Sequence, residues 1–171
     1  SHEACSLAGT LGLGKLIVLY DDNGISIDGP TSLSFSDNTP KRFESYGWDV
    51  QAIDGHDPAA IIEAMYHART TDTPSLIACK TTIAYGAPKK AGTSASHGSP
   101  LGAEEIAGAR SNLGWEHAPF EIPSDILSAW RDAAATRAKS YTEWEQRFAK
   151  SAHRDAFSAR MEGDLGEAWT Q

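Results

Sequence analysis

The sequence predicts an α/β fold: a doubly wound, mostly parallel sheet with helices on both faces, followed by a helical C-terminal extension. Helix-like and strand-like segments alternate from the start of the chain through Lys80, and the strand segments are near-continuously apolar instead of two-faced. Polar residues gather at the ends of those strands, where open sheets of this kind bind their ligands.

Each element has its own signal. Glu3 to Leu11 is rich in Ala, Leu and Cys, and Gly12 and Gly14 then stop the helix before a strand over Lys15 to Tyr20. In TPKRFESY, Thr39 and Pro40 read as an N-cap and first-turn pair opening a helix that ends before Gly47. A strand follows over Trp48 to Ile53. Asp54-Gly55-His56-Asp57-Pro58 makes a turn in which Asp57 caps the next helix, and PAAIIEAMYHAR places Ile61, Ile62, Met65 and Tyr66 on one face. SLIACK, Ser75 to Lys80, is a third short buried strand. The segment 83–102, IAYGAPKKAGTSASHGSPLG, has no apolar periodicity, and loops of that length in compact domains carry function or lack order. A helix, AEEIAGARSNLG, comes next. From Pro123 the chain becomes Ala- and charge-rich, with a narrow stripe of Leu127, Trp130, Trp144 and Phe148, and one or two long, partly exposed helices are expected. The expected domains are thus a partial α/β domain over 1–122 and a helical linker over 123–171.

Composition narrows the function classes. With 171 residues and 40% hydrophobic content the chain can bury one substantial core. A net charge of −8, with no basic face or run, argues against nucleic acid. No apolar run approaches the roughly 18 to 20 residues of a membrane span, so a soluble, cytoplasmic protein is expected. Cys5 and Cys79 fit neither a zinc motif nor a CxxC pair and read as free core thiols. The chain opens on SHEACSLAG with no initiating Met, as part of a longer polypeptide would.

The stretch YDDNGISIDG, Tyr20 to Gly29, raises the chemical question. An EF-hand loop starting at Asp21 requires Gly at its sixth position and Glu at its twelfth; Ser26 and Ser32 stand there, and Ile25 takes a ligand position. The calcium loop fails. Two readings remain: a strand-terminal Asx turn, which composition favours, or half of a metal site. In the second, the Asn23 amide oxygen and the Ile25 backbone carbonyl are hard donors suited to Mg²⁺ or Ca²⁺, and a carboxylate and a phosphate come from elsewhere. His2, His56, His67, His97, His117 and His153 show no metal spacing. His97 sits between Ser96 and Gly98 in the long loop, as an exposed loop residue or as one that donates to an oxyanion or moves a proton. GTLGLG precedes its strand instead of following it, the wrong order for a dinucleotide fingerprint.

As a set, SHEACSLAGTLGLGKLIVLYDDNGISIDG, RFESYGWDV, IDGHD, PSLIACKTTIAYGAPKKAGT, SHGSPLG and LGWEHAPFEIP strongly resemble transketolase, from Ser1 to about Pro123. The resemblance implies the thiamine-diphosphate-binding fold and a homodimer that binds the cofactor between subunits. The parent would transfer a two-carbon ketol unit from a ketose phosphate to an aldose phosphate in the pentose phosphate pathway. It implies thiamine diphosphate and Mg²⁺ (Ca²⁺ or Mn²⁺ in its place) as cofactors, and sugar phosphates and the rest of the parent chain as partners. Asn23 matches the Asn that ends the thiamine-enzyme metal motif and touches the diphosphate, with the Ile25 carbonyl as a further metal ligand. The Gly-Asp-Gly that opens that motif is expected ahead of Ser1. His97 matches a histidine that reaches both cofactor and substrate, and Glu3 a glutamate in the carboxylate network at the dimer interface. Ser94 stands where the family often has a second histidine. Dihydroxyacetone synthase and 1-deoxyxylulose-5-phosphate synthase are the related alternatives, and a noncatalytic interaction module is the alternative of another class. The 171 residues alone are expected to lack turnover.

Overall fold

In a computed structural model, residues 2–166 are described. Ser1, where the resemblance begins, and 167–171, the end of the expected helical extension, lie outside the described residues. The chain divides into two compact units, Ser1–Glu116 and His117–Gln171.

The first unit opens with helix α1 (His2–Thr10) and strand β1 (Ile17–Asp22). A two-residue ladder, β2 (Ile25–Ser26) and β3 (Gly29–Pro30), follows, then α2 (Thr39–Ser45), β4 (Asp49–Asp54), α3 (Pro58–Ala68), β5 (Ser75–Lys80) and α4 (Ala103–Asn112). Strands β1, β5 and β4 form one parallel sheet in that order, with β5 central and almost wholly buried.

Successive residues of β5 point to opposite faces, so Leu76 and Ile77 enter different cores. Leu76 joins Ala8 and Trp48, with Val18, Val50, Phe43 and Tyr46 packed around them, beneath α1 and α2. Ile77 and Cys79 join Ala64 and Ala68 of α3, with Ile17, Ile53 and Met65. Both faces are therefore covered, as the apolar strands required. Trp48 closes the first core: its ring meets Phe43 edge-on at 4.9 Å and its indole N–H donates to the Cys5 carbonyl at 2.9 Å.

Several boundaries differ from the sequence expectation, each for a local reason. β1 starts and ends two residues later than Lys15–Tyr20. Leu16 is still held in a turn by its N–H bond to the Leu13 carbonyl, while Asp21 and Asp22 pair with Cys79 and Lys80 inside the ladder. The cap of α2 is Asn38, not Thr39; its side-chain oxygen accepts the Lys41 N–H at 3.0 Å and leaves Thr39 and Pro40 in the first turn. Asp57 does cap α3, accepting the Ala59 N–H at 2.9 Å. Cys79 is buried and free, whereas Cys5 is half-buried; burial, then the nearby Asp21 charge, pushes the Cys79 thiol pKa up, away from reactivity.

The second unit contains α5 (Ser124–Ala149) and α6 (Arg154–Met161). Phe148 joins them, stacking on Trp144 at 5.1 Å and meeting Phe157 edge-on at 5.4 Å. Trp130, expected on the same stripe, is 72% exposed. No helix among the described residues is long and apolar enough to cross a membrane.

Candidate functional site

The three parallel strands end level with one another: Asp22 and Asp54 both pair with Lys80 across the sheet. The chain leaving each carboxyl end therefore emerges on one edge. This brings Asn23, His56 and the loop after Thr82 to the same side of the domain.

After β1, Gly24 turns the chain with φ at +72°, a conformation that glycine adopts without steric cost. The turn locks the Asn23 amide. Its nitrogen donates to an Asp21 carboxylate oxygen at 3.1 Å, and its oxygen accepts the Ile25 N–H at 2.9 Å. The other Asp21 oxygen accepts a short hydrogen bond from the Thr81 hydroxyl, which links the end of β1 to the end of β5. Asn23 thus makes the Asx turn that composition favoured. Its carbonyl oxygen keeps a second lone pair for a ligand, so the turn and a role as oxygen donor are compatible.

Across from this turn, Ile83, Ser96, His97, Gly98 and Ser99 join Asp21 and Asn23 around an open cleft of about 490 Å³. His97 is exposed, and its own N–H is held by the Ser94 carbonyl at 3.0 Å. Two of the residues singled out from the sequence therefore face one cleft from elements 74 positions apart. Ile25 lies half-buried in β2, behind Asn23, and is not among the residues lining the cleft. Glu3 is in the first turn of α1, exposed and also outside that lining.

Among the described residues, no group of three or more His, Cys, Asp or Glu is placed to hold a metal ion. One amide oxygen with a neighbouring backbone carbonyl fits a hard cation in kind but fills only part of its shell. Asn23 and Ile25 together would supply only part of the donor set that such a cation needs.

Two contributors were not legible in the sequence. His56 is more than a helix-entry residue: its Nε2 accepts the Thr82 N–H at 2.8 Å, and its ring stacks on Tyr85 at 3.9 Å. Accepting at Nε2 places the proton of the neutral ring on Nδ1. The bond ties the turn after β4 to the start of the His97 loop, beside a cleft of about 640 Å³ lined by Asp54, His56, Lys80, Thr81 and Thr82. Glu105, at the start of α4, accepts the backbone N–H groups of Lys89 and Lys90, each at 3.0 Å. Those bonds, the Lys89 bond foremost, and the two lysine charges hold its carboxyl below the usual glutamate range against the opposing effect of burial. Its only sequence signal is an acid in a helix's first turn, which is commonplace.

Comparison with known proteins gives this edge a context. The family model described as "Transketolase, thiamine diphosphate binding domain" matches residues 1–165. Transketolase 2 of Escherichia coli (strain K12) is 54% identical over 176 residues, covering 99% of this chain and 26% of that protein. The chain thus spans about a quarter of the length of the curated relatives it matches. Among solved structures, transketolase from Leishmania mexicana superposes with a TM-score of 0.87 at 36% identity, over 98% of this chain and 26% of that one. A Pichia stipitis transketolase solved in complex with sedoheptulose 7-phosphate gives 0.84 at 35% identity, with the same coverage.

Proposed function

This chain belongs to the transketolase family, in the thiamine diphosphate-binding part of it, and on that premise we propose that its parent enzyme transfers a two-carbon ketol unit from a ketose phosphate to an aldose phosphate. The observation that carries the reading is the shared cleft: Asn23, fixed by Asp21 and Ile25, faces His97 at the carboxyl edge of the parallel sheet. The Pichia relative, solved with a sugar phosphate, supports the substrate class.

Asn23 offers its amide oxygen, and Ile25 its backbone carbonyl, to a divalent cation, with Mg²⁺ preferred and Ca²⁺ or Mn²⁺ as substitutes. Asp21 keeps the Asn23 amide from flipping, so the oxygen and not the nitrogen meets the cation. The carboxylate that completes the shell belongs to residues outside this sequence. His97 would donate its imidazole N–H to a diphosphate oxygen and help stabilise the charge that develops on the substrate oxygen as bonds change. Thiamine diphosphate, when bound, supplies the carbon nucleophile and electron sink, while the protein supplies placement. Glu3 takes part in a carboxylate network between the subunits of a cytoplasmic homodimer that serves the pentose phosphate pathway. The 171 residues alone do not turn over.

The test uses the full-length parent. Ketol transfer from xylulose 5-phosphate to ribose 5-phosphate is followed with and without thiamine diphosphate and Mg²⁺; product formed at equal rates without them overturns the reading. Asn23→Ala should weaken metal-dependent cofactor binding by at least about tenfold. His97→Ala should lower kcat by about a hundredfold while cofactor affinity falls much less. Unchanged cofactor affinity in the first variant removes Asn23 from the metal site.

A further inference from the structure

His97 hangs from an irregular segment, 83–102, whose only regular piece is one short 3₁₀ turn at Ser94–Ser96. A loop of that kind holds a side chain to catalytic tolerance only if something external fixes its shape. The contacts that fix this loop converge on Lys90. Its ammonium donates to the carbonyls of Pro100 at 3.2 Å and Leu101 at 2.9 Å, which closes the loop across its base. Its carbonyl accepts the Thr93 hydroxyl at 2.8 Å, and the Thr93 carbonyl in turn accepts the Ser96 hydroxyl at 2.8 Å. His97 is the next residue, with its N–H on the Ser94 carbonyl. The Lys90 N–H itself is held by Glu105.

Glu105 is unusual for where it spends its charge. It is the third residue of α4, and a glutamate there ordinarily reaches back to the N–H of its own helix cap. Here the cap is Gly102, and the carboxylate turns outward to clasp two peptides of the loop with one oxygen while only 7% exposed. A carboxylate so withdrawn from water is retained only with its charge well satisfied. The helix that carries it is seated against the same stretch. Asn112 donates to the Gly86 carbonyl at 2.7 Å, and a Cβ added at Gly108 would stand 2.2 Å from the Pro88 ring.

We propose that Glu105 is a positioning residue for His97: by fixing the Lys89 and Lys90 peptides it sets how the imidazole meets the cleft over Asn23. The role rests on the reading that His97 acts in ketol transfer. Glu105 does not line the Asn23–His97 cleft and would act only through the loop.

The full-length holoenzyme tests this with Glu105→Ala, Glu105→Gln, His97→Ala and the Glu105→Ala/His97→Ala double variant. Glu105→Ala should lower kcat roughly ten- to a hundredfold, the loss that a misplacement of about an ångström brings. KM for both sugar phosphates should shift less than about threefold, because uniform binding is untouched. Glu105→Gln retains an oxygen for the two N–H groups and should recover most of the loss; it also serves if the alanine variant does not fold. In the His97→Ala background, Glu105→Ala should cost nothing further. Amide exchange supplies a readout independent of turnover: segment 86–97 should exchange faster in Glu105→Ala while β5 keeps its protection.

If His97→Ala slows turnover but Glu105→Ala does not, or the two losses multiply, positioning is overturned and the role of His97 stands. Should His97→Ala leave turnover unchanged, the reading of His97 falls and the catalytic part of the proposal falls with it. The exchange data then decide alone whether Glu105 holds the loop. Unaltered exchange across 86–97 in Glu105→Ala overturns the proposal whatever the kinetics.

Discussion

Gly55→Ala is the substitution whose sign the structure decides. Gly55 follows β4 and donates its N–H to the Lys80 carbonyl at 2.8 Å, so its α-carbon lies close against the end of β5. An added Cβ would stand 2.5 Å from the Thr81 methyl, 3.0 Å from the Cys79 Cβ and 3.1 Å from the Lys80 carbonyl oxygen. Cys79 and Lys80 end β5 and Thr81 follows it, and relief comes most readily from the Thr81 side chain. Its methyl and hydroxyl share one carbon, however, so rotating the methyl away swings the hydroxyl off Asp21. Asp21 is what orients the Asn23 amide. Relief of the clash therefore loosens the candidate metal ligand.

Two effects of opposite sign compete on stability. Replacing Gly by Ala restricts the unfolded chain and would stabilise by about 0.4–1 kcal/mol if the methyl fitted. Overpacking costs about 1–3 kcal/mol, and with contacts this short it should win, leaving a net loss of about 1–2 kcal/mol. In the cofactor-free parent enzyme, the unfolding midpoint in urea should fall. Affinity for thiamine diphosphate at fixed Mg²⁺, followed by intrinsic fluorescence, should drop about tenfold, as for other disturbed partners of a metal ligand. Thr81→Ser removes the clashing methyl, keeps the hydroxyl, and should restore part of both losses. A Gly55→Ala enzyme that unfolds later than wild type and binds cofactor equally well would refute the reasoning.

Asp57→Ala should lower stability by about 1 kcal/mol through loss of the α3 cap, while Asp57→Asn stays near wild type in the same urea titration; equal losses in both would mean that the charge and not the cap matters. Glu105 predicts a pH dependence. Its carboxyl is depressed in the folded state, so the hold on the loop is complete above the ordinary glutamate value of about 4.3 and is lost as pH falls through the lower folded value. Exchange protection of 86–97, corrected for intrinsic rates, should persist down to about pH 4.3 and then decline. Protection already lost at about pH 5 would contradict the depressed carboxyl.

The sheet was legible because its signals are local. SLIACK reads as a strand and is one, over Ser75–Lys80, since every residue but the last is buried and the apolar run has no other place. β1 was misplaced by two residues for a related reason. It is an edge strand in the described residues, half-exposed along its length, so Asp21 and Asp22 can stay in the ladder at little desolvation cost. Polarity signals a strand's end only when burial penalises it. The small β2–β3 ladder was missed because two-residue strands carry no periodicity; it is held by the Ser26 hydroxyl on the Gly29 carbonyl and the Thr31 N–H on the Gly24 carbonyl.

The site divides along the same line. Asn23 and His97 could be grouped from sequence because each follows a parallel strand, and topology delivers the ends of neighbouring parallel strands to one edge whatever the intervening chain does. His56 and Glu105 could not. Their partners, Thr82 and Lys89–Lys90, lie 26 and about 16 positions away in irregular backbone, and the bonds are to peptide N–H groups that every residue type but proline carries. A side chain that bonds to backbone leaves no complementary residue to recognise in the partner segment. The groups proposed to act on a ligand here announce themselves by residue type and placement, whereas the groups that hold them in place are defined only by the fold. That asymmetry is why substitutions at His56, Glu105 and Gly55, none of which faces the Asn23–His97 cleft, are the ones that separate a correctly assembled site from one that merely contains the right residues.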